Sequence, residues 1–329
     1  MDRYLIGLDV GGTKCAVSLA RVRADAAKAE DIAFLDRREF PTPKRNPQAA
    51  LERFSAEIDA ALAAANLTKA DVAAIGISCG GPLDSRRGVI QSPPNLPGWD
   101  DVEIVAYFEA STGIKTFLQN DANACAVAEW RFGAGAGTRN MLFLTFGTGL
   151  GAGLILDGKL YSGTNDMAGE VGHMRLRRTG PVGYGKNGSA EGFCSGGGIA
   201  QLGADAVRRA VKRGETPRLL EVAGCPDAVT AKQIASLARE GDAMCLGIYK
   251  KVGAYLGETL AILIDLFNPE KIVLGGVFMR AGDLMRPEME RILRREALPH
   301  ALRVCEILPA GLGESVGDYA AVAVAVNSL

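Results

Sequence analysis

Glycine placed at the ends of apolar runs constrains this chain more than any other feature. Residues 4–20 form one such run, broken by Asp9-Val10-Gly11-Gly12-Thr13-Lys14, and residues 141–156 (M-L-F-L-T-F-G-T-G-L-G-A-G-L-I-L) have the same form. Each reads as strand, glycine turn, strand. At an offset of 136 residues Gly11 falls on Gly147 and Asp9 on Thr145. That is the pattern of a diverged internal repeat with one glycine hairpin per lobe; a chance likeness of two apolar hairpins is the alternative. Residues 72–78 and 271–274 read as further buried strands, ending in Gly80-Gly81 and Gly275-Gly276.

Between these junctions the period changes. Leu51, Phe54, Ile58 and Leu62 form one stripe of an amphipathic helix over 48–65. Residues 246–267 also repeat at helical spacing, and Lys250, Lys251, Glu258 and Asp265 within them exclude a membrane span. Residues 92–99 are a Pro-rich loop, 114–118 a strand and 120–130 the start of a helix. Thr230 and Gln233 form a capping box, and a helix is expected after Gly276. A small-residue helix covers 315–326. Alternating strands and helices give an α/β class. The expected domains are a smaller N-terminal lobe over 1–119, to which the C-terminal helix (315–329) returns, and a larger lobe over 120–314.

The formal net charge of −1 argues against nucleic acid or a membrane surface as partner. The start of the chain lacks a basic flank followed by a long apolar run, so no signal peptide is read. Seven cysteines without a C-x-x-C pair read as reduced thiols, and the expected location is cytoplasmic. Arg175, Arg177, Arg178 and Lys186 read as a solvated loop.

Three strand-to-glycine junctions, Asp9–Lys14, 147–153 and Gly275-Gly276, suit phosphate: glycine lets backbone N–H groups approach an oxyanion. Asp9 can hold Mg2+ or its waters, and Thr13 and Thr148 can donate hydroxyl hydrogen bonds. Two tempting motifs fail on context. Gly147-x-Gly149-x-x-Ala152 matches a dinucleotide fingerprint, but a second strand follows where a helix is required. Residues 153–159 have P-loop spacing, but Leu160 stands where Ser or Thr must meet Mg2+. Asp121 has two readings: a helix cap beside Asn120, or a carboxylate at a strand end that serves as a base.

The phrases D-V-G-G-T-K (9–14), P-N-L-P-G-W (94–99), N-D-A-N (120–123), G-T-G-L-G-A-G (147–153), E-V-G-H (170–173) and the Glu191 segment resemble, in order, the ROK family of bacterial sugar kinases and sugar-responsive repressors. The resemblance implies a two-lobed actin/hexokinase-like ATPase (ribonuclease H-like) fold with ATP and sugar in an interlobe cleft, and a homodimer. It implies Asp121 as catalytic base, and Gly81, Asn95, Asn120, Asp121, Glu170, His173 and Glu191 as sugar contacts. For the nucleotide it implies Asp9, Gly11, Gly12, Thr13, Lys14, Gly147, Thr148, Gly149, Gly275 and Gly276. The expected reaction is ATP- and Mg2+-dependent phosphorylation of a hexose-type sugar, with the glucose 6-hydroxyl first and fructose, mannose, allose or N-acetylhexosamines open. A non-catalytic sugar sensor is the alternative; only eight residues precede Asp9, too few for a helix-turn-helix. Many family members carry C-x-C-G-x-x-G-C-x-E, whose three cysteines bind structural zinc with a histidine. Here those positions are Val182, Tyr184 and Ser189. No zinc is therefore expected, and Glu191 is expected to be held by loop packing, with Tyr184 as a candidate brace.

Overall fold

The computed structural model describes residues 2–329; Met1, the first residue of the expected N-terminal lobe, lies outside the described residues. Two compact units divide the chain: Met1–Phe143, Gly153–Ala168 and Ala310–Leu329 form unit 1, and Leu144–Ala152 with Gly169–Pro309 form unit 2.

Unit 1 is built on strands β1 (Arg3–Val10), β2 (Lys14–Val22) and β3 (Ile32–Pro41), helix α1 (Pro47–Ala64), β4 (Val72–Cys79), the short pair β5 (Leu83–Asp84) and β6 (Val89–Ile90), α2 (Ile104–Thr112), β7 (Thr116–Asn120) and α3 (Asp121–Phe132). Its sheet has the order β3-β2-β1-β4-β7. The central strands β1 and β4 are buried almost throughout, which is why both read as continuous apolar runs rather than alternations. Asn46 caps α1, accepting the Ala49 N–H, with Pro47 in the first turn. The helix turns Leu51, Phe54, Ile58 and Leu62 inward. Phe54 meets Phe40 edge-on at 4.9 Å, and the fully buried Trp99 belongs to the same core.

The chain continues through β8 (Met141–Phe146), β9 (Leu150–Leu156), β10 (Lys159–Leu160), β11 (Val182–Gly183), β12 (Lys186–Asn187), α4 (Ala190–Phe193), α5 (Gly196–Lys212), α6 (Arg218–Ala223), α7 (Ala231–Arg239), α8 (Ala243–Phe267), β13 (Lys271–Leu274), α9 (Val277–Glu296), α10 (Pro299–Leu302), β14 (Glu306–Pro309) and α11 (Val316–Ser328). The second sheet runs β10-β9-β8-β13-β14. Its plan repeats the first: a hairpin with a glycine turn, a third strand on the hairpin's outer edge, and two later strands on the other side. The 136-residue offset holds at the turns, since Val10 and Lys14 bound the first as Phe146 and Leu150 bound the second. The internal repeat is thus a repeat of topology as well as of sequence.

Helix α11 packs on β1, β4 and α3. Its approach is close because Gly7 and Gly76 sit side by side in the sheet. A Cβ on Gly76 would lie 2.1 Å from the Ala321 carbonyl oxygen and 2.7 Å from the Ala325 nitrogen. Small residues on both surfaces let helix backbone touch strand backbone. Among the described residues no helix is long and apolar enough to cross a membrane. All seven cysteines are free thiols, four of them buried.

Candidate active site

In unit 1 the expected residues converge at the ends of β1, β4 and β7. Asp9 stands at the end of β1, and Gly12 in the turn lies against the 92–99 loop: a Cβ there would be 2.6 Å from the Asn95 carbonyl oxygen. Positions 80 and 81, just past β4, face the side-chain amides of Asn95 and Asn120; a Cβ would stand 3.3 and 3.2 Å from their Nδ2 atoms. Thr42 braces the turn by donating to the Gly11 carbonyl at 2.6 Å. Lys14 is exposed and paired with Glu39 at 2.5 Å.

The geometry separates the two readings of Asp121. Asn120 is the helix cap, its Oδ1 accepting the Ala122 N–H at 3.0 Å. Asp121 is the first helical residue, and its Oδ1 accepts the same N–H at 2.8 Å. It is therefore not required for capping, and it remains solvent-accessible. The protein packed around it nevertheless desolvates the carboxylate enough to raise its pKa, against a partial lowering by backbone N–H groups. Accessibility is what a substrate meets; the direction of the pKa is what governs its proton.

Asp9 is pushed up to about 7, chiefly by burial, then by the charges of Asp121 and Asp318, with Lys14 and Arg37 pulling the other way. A desolvated carboxylate repelled by neighbouring charges would be relieved by a cation bound close to it.

In unit 2 the turn between β8 and β9 carries Gly147, Thr148 and Gly149. Its carbonyls are held by the start of α5: the Gly196 N–H reaches the Gly147 oxygen at 2.8 Å and the Gly197 N–H the Thr148 oxygen at 3.3 Å. Ser195 caps that helix through the Gly198 N–H at 2.9 Å. The turn opens on a cavity of about 1080 Å3, whose far walls include Thr230, Lys232, Tyr249 and Arg280. Such a volume suits a nucleotide. Gly275 donates its N–H to the Leu144 carbonyl at 3.0 Å. Gly276 follows with a positive φ of 59° at the start of α9, and Val277 and Arg280 beyond it line the cavity.

Glu170, His173 and Glu191 belong to the same unit. His173 is exposed on a short turn, its N–H bonded to the Glu170 carbonyl at 3.1 Å. Glu191 accepts the Leu150 N–H through Oε2 at 3.0 Å. Gly149 and Gly172 both face its side chain; a Cβ on Gly149 would stand 2.6 Å from Oε2. The expectation that Tyr184 braces Glu191 needs correction. Tyr184 has φ 43°, is 71% exposed and turns its ring edge-on to His173 at 6.3 Å. The partner of Glu191 is a backbone N–H of the glycine hairpin.

The residues at the three former cysteine positions do not fit zinc. Val182 offers no ligand atom, Tyr184 faces solvent, and Ser189 Oγ is committed to the Gly192 N–H at 3.1 Å as the cap of α4. Cys194, nearby in sequence, is buried with its Sγ toward the Val252 carbonyl, and burial pushes its thiol far above the usual range. Among the described residues no three His, Cys, Asp or Glu side chains are grouped to hold a metal.

Residues 5–327 match the ROK family. The chain belongs to the ROK family. The glucokinase of Halalkalibacterium halodurans is 32% identical over 319 residues, covering 96% of this chain and 93% of that protein. A ROK family glucokinase from Streptomyces griseus, solved in complex with glucose and AMPPNP, superposes with a TM-score of 0.72 at 30% identity, with 97% of each chain covered. A ROK family transcriptional regulator, a homologue of the E. coli protein Mlc, reaches a TM-score of 0.83 at 25% identity, with 98% of this chain and 78% of that one covered. The fold is thus that of the ROK kinases, the actin-like ATPase architecture.

Sequence reading did not single out Gly196, Gly197, Lys232, Tyr249 or Arg280 as cavity walls. The Ser195-Gly-Gly-Gly198 run was a visible signal, since a capped, glycine-rich helix start suits an anion. Tyr249 and Arg280 come from the middle or start of long helices and carried no local signal.

Proposed function

We propose that this chain transfers the γ-phosphoryl group of MgATP to a hydroxyl of a hexose, with the glucose 6-hydroxyl as the first candidate. Asp121 carries the reading: an accessible carboxylate of raised pKa at a helix start that Asn120 already caps. A sugar hydroxyl is a poor nucleophile, and phosphoryl transfer needs alignment, charge neutralisation and a proton acceptor. Asp121 takes the hydroxyl proton as the new P–O bond forms, and ADP departs with the electrons of the old one. Bound Mg2+ neutralises phosphate charge, and Asp9 is the residue to hold it or its waters.

Each unit has its share of the work. In unit 1, Asn95 and Asn120 present amides to sugar hydroxyls beside Asp121, and the Gly11-Gly12-Thr13 turn presents N–H groups to phosphate. In unit 2, the cavity and the Gly147–Gly149 turn take the nucleotide. Glu170, His173 and Glu191 accept sugar hydroxyl hydrogens, and stereochemistry is read through the cost of leaving such groups unpaired. The names of the glucokinase relatives favour glucose. A cytoplasmic homodimer completes the proposal, and light scattering tests the dimer.

A coupled ADP-release assay across hexoses, hexosamines and N-acetylhexosamines identifies the acceptor. Asp121→Asn is expected to abolish turnover while the sugar still raises the melting temperature; full ATP turnover in that variant refutes the assignment. Sensing without turnover is the second reading, favoured by the likeness to the regulator. Sugar binding with no ADP release on any acceptor would select it.

A further inference from the structure

We infer that Gln201 is a positioning residue for Glu191, acting through two side-chain hydrogen bonds to the backbone beside it. The inference rests on the reading of Glu191 as a sugar contact. Glu191 lies in α4, a helix of four residues, far too short to hold its own place. The strand pair β11–β12 beside it has only two residues per strand and has no independent stability. Something outside this segment must therefore fix the carboxylate.

Two attachments do so. At the head, Oε2 receives the Leu150 N–H. At the stem, the backbone of β11 lies against the side chain: a Cβ on Gly183 would stand 2.7 Å from the Glu191 Cβ. The residue next to Gly183, Val182, is gripped in both directions by one side chain. Gln201 Oε1 accepts the Val182 N–H at 2.9 Å, and Gln201 Nε2 donates to the Val182 carbonyl at 2.9 Å. A primary amide closing both bonds on one peptide unit imitates a strand neighbour and fixes orientation as well as distance. Gln201 stands on α5, whose first residues are bonded to the Gly147 and Thr148 carbonyls. Helix α5 is thus the common beam on which the glycine turn and the stem of Glu191 are both mounted.

Position 182 is one of the three at which the sequence departs from the zinc pattern. Its side chain is exposed, and its peptide group, not a ligand atom, is what the protein holds. The anchoring of this position is thus through its backbone.

Gln201→Leu keeps the size and removes both bonds. It is expected to raise the sugar KM about tenfold, the weight of two ordinary hydrogen bonds, with the ATP KM and kcat unchanged within about twofold. In Glu191→Gln the sugar KM should rise as well. The double variant Gln201→Leu/Glu191→Gln should show the KM of Glu191→Gln alone, because Gln201 acts through that carboxylate. Additive losses, or an equal rise in both KM values, would mean a general structural role and overturn the inference. An effect of Glu191→Gln with none of Gln201→Leu overturns the inference and leaves the sugar reading standing; no effect of Glu191→Gln overturns both. Should Gln201→Leu fold poorly, Gln201→Glu retains the acceptor for the Val182 N–H. Hydrogen exchange over residues 181–193 is then expected to quicken while residues 205–212 stay protected, and unchanged exchange over 181–193 overturns the inference.

Discussion

Replacing Asp9 by Asn should make the nucleotide-free protein more stable, and by an amount that grows with pH. In the folded chain the Asp9 carboxyl titrates at about 7, against an ordinary value of 3.8. Between those values the folded state keeps a proton that the unfolded state has released. Stability from this group is therefore fully retained below about 3.8, falls as pH rises, and is lost by about pH 7. At roughly 1.4 kcal/mol for each pH unit, the full loss is about 4 kcal/mol. About 2 kcal/mol of it falls between pH 5 and pH 7, because the slope flattens as the folded carboxyl itself begins to ionise. Asp9→Asn has no such slope, so its advantage over the parent should widen by about 2 kcal/mol across that interval. Urea unfolding in EDTA, followed by tryptophan fluorescence, is the assay. Both tryptophans, Trp99 and Trp130, lie in unit 1 with Asp9, so the signal reports the right part of the chain. Asp121→Asn should flatten the parent's slope in part, since the Asp121 charge is the second cause of the shift. A stability difference between Asp9→Asn and the parent that is constant from pH 5 to pH 8 refutes the reasoning.

Gly76→Ala should cost about 2 kcal/mol or more by the same assay, because the added methyl group meets α11 backbone that must shift. Gly247→Ala, on open helix surface with nothing within 4 Å, should instead gain about 0.5–1 kcal/mol. Ala235 is a buried cavity wall, so Ala235→Phe should raise the ATP KM at least about tenfold while leaving sugar-induced thermal stabilisation intact; an unchanged ATP KM would move the nucleotide elsewhere. Treatment with a zinc-selective chelator, followed by Mg2+, should leave melting temperature and turnover unaltered, and loss of either would contradict the misfit at Val182, Tyr184 and Ser189.

The parts of this molecule legible in its sequence are those fixed by neighbours along the chain. The strand over Lys271–Leu274 and the Thr230–Gln233 capping box are local patterns, and the structure has both where the sequence puts them. So is the turn at Asp157-Gly158, both with positive φ, that joins β9 to β10 and rules out a dinucleotide helix. The strand expected over 114–118 begins later, at Thr116. Gly113 ends α2 in a left-handed conformation, and the Thr116 hydroxyl then bonds back to the Ile114 carbonyl, so Ile114 is spent on the turn. Which of Asn120 and Asp121 caps α3 depends on a side-chain rotamer that composition does not determine. The partner of Glu191 stands 41 residues away, and the cavity is assembled from separate helices. Those facts belong to tertiary packing, and no window along the chain contains them.

The seat of α11 on paired glycines sets an order of assembly. Its residues 316–328 emerge after everything in unit 2, yet they cover the centre of a sheet whose strands β1 and β4 were synthesised first. Unit 1 must wait, with one face of its oldest strands uncovered, while the intervening residues are made. Unit 2, by contrast, needs nothing beyond Pro309 and can settle earlier. A nascent chain therefore leaves that face of β1 and β4 open, an apolar surface free to associate, until α11 has been made.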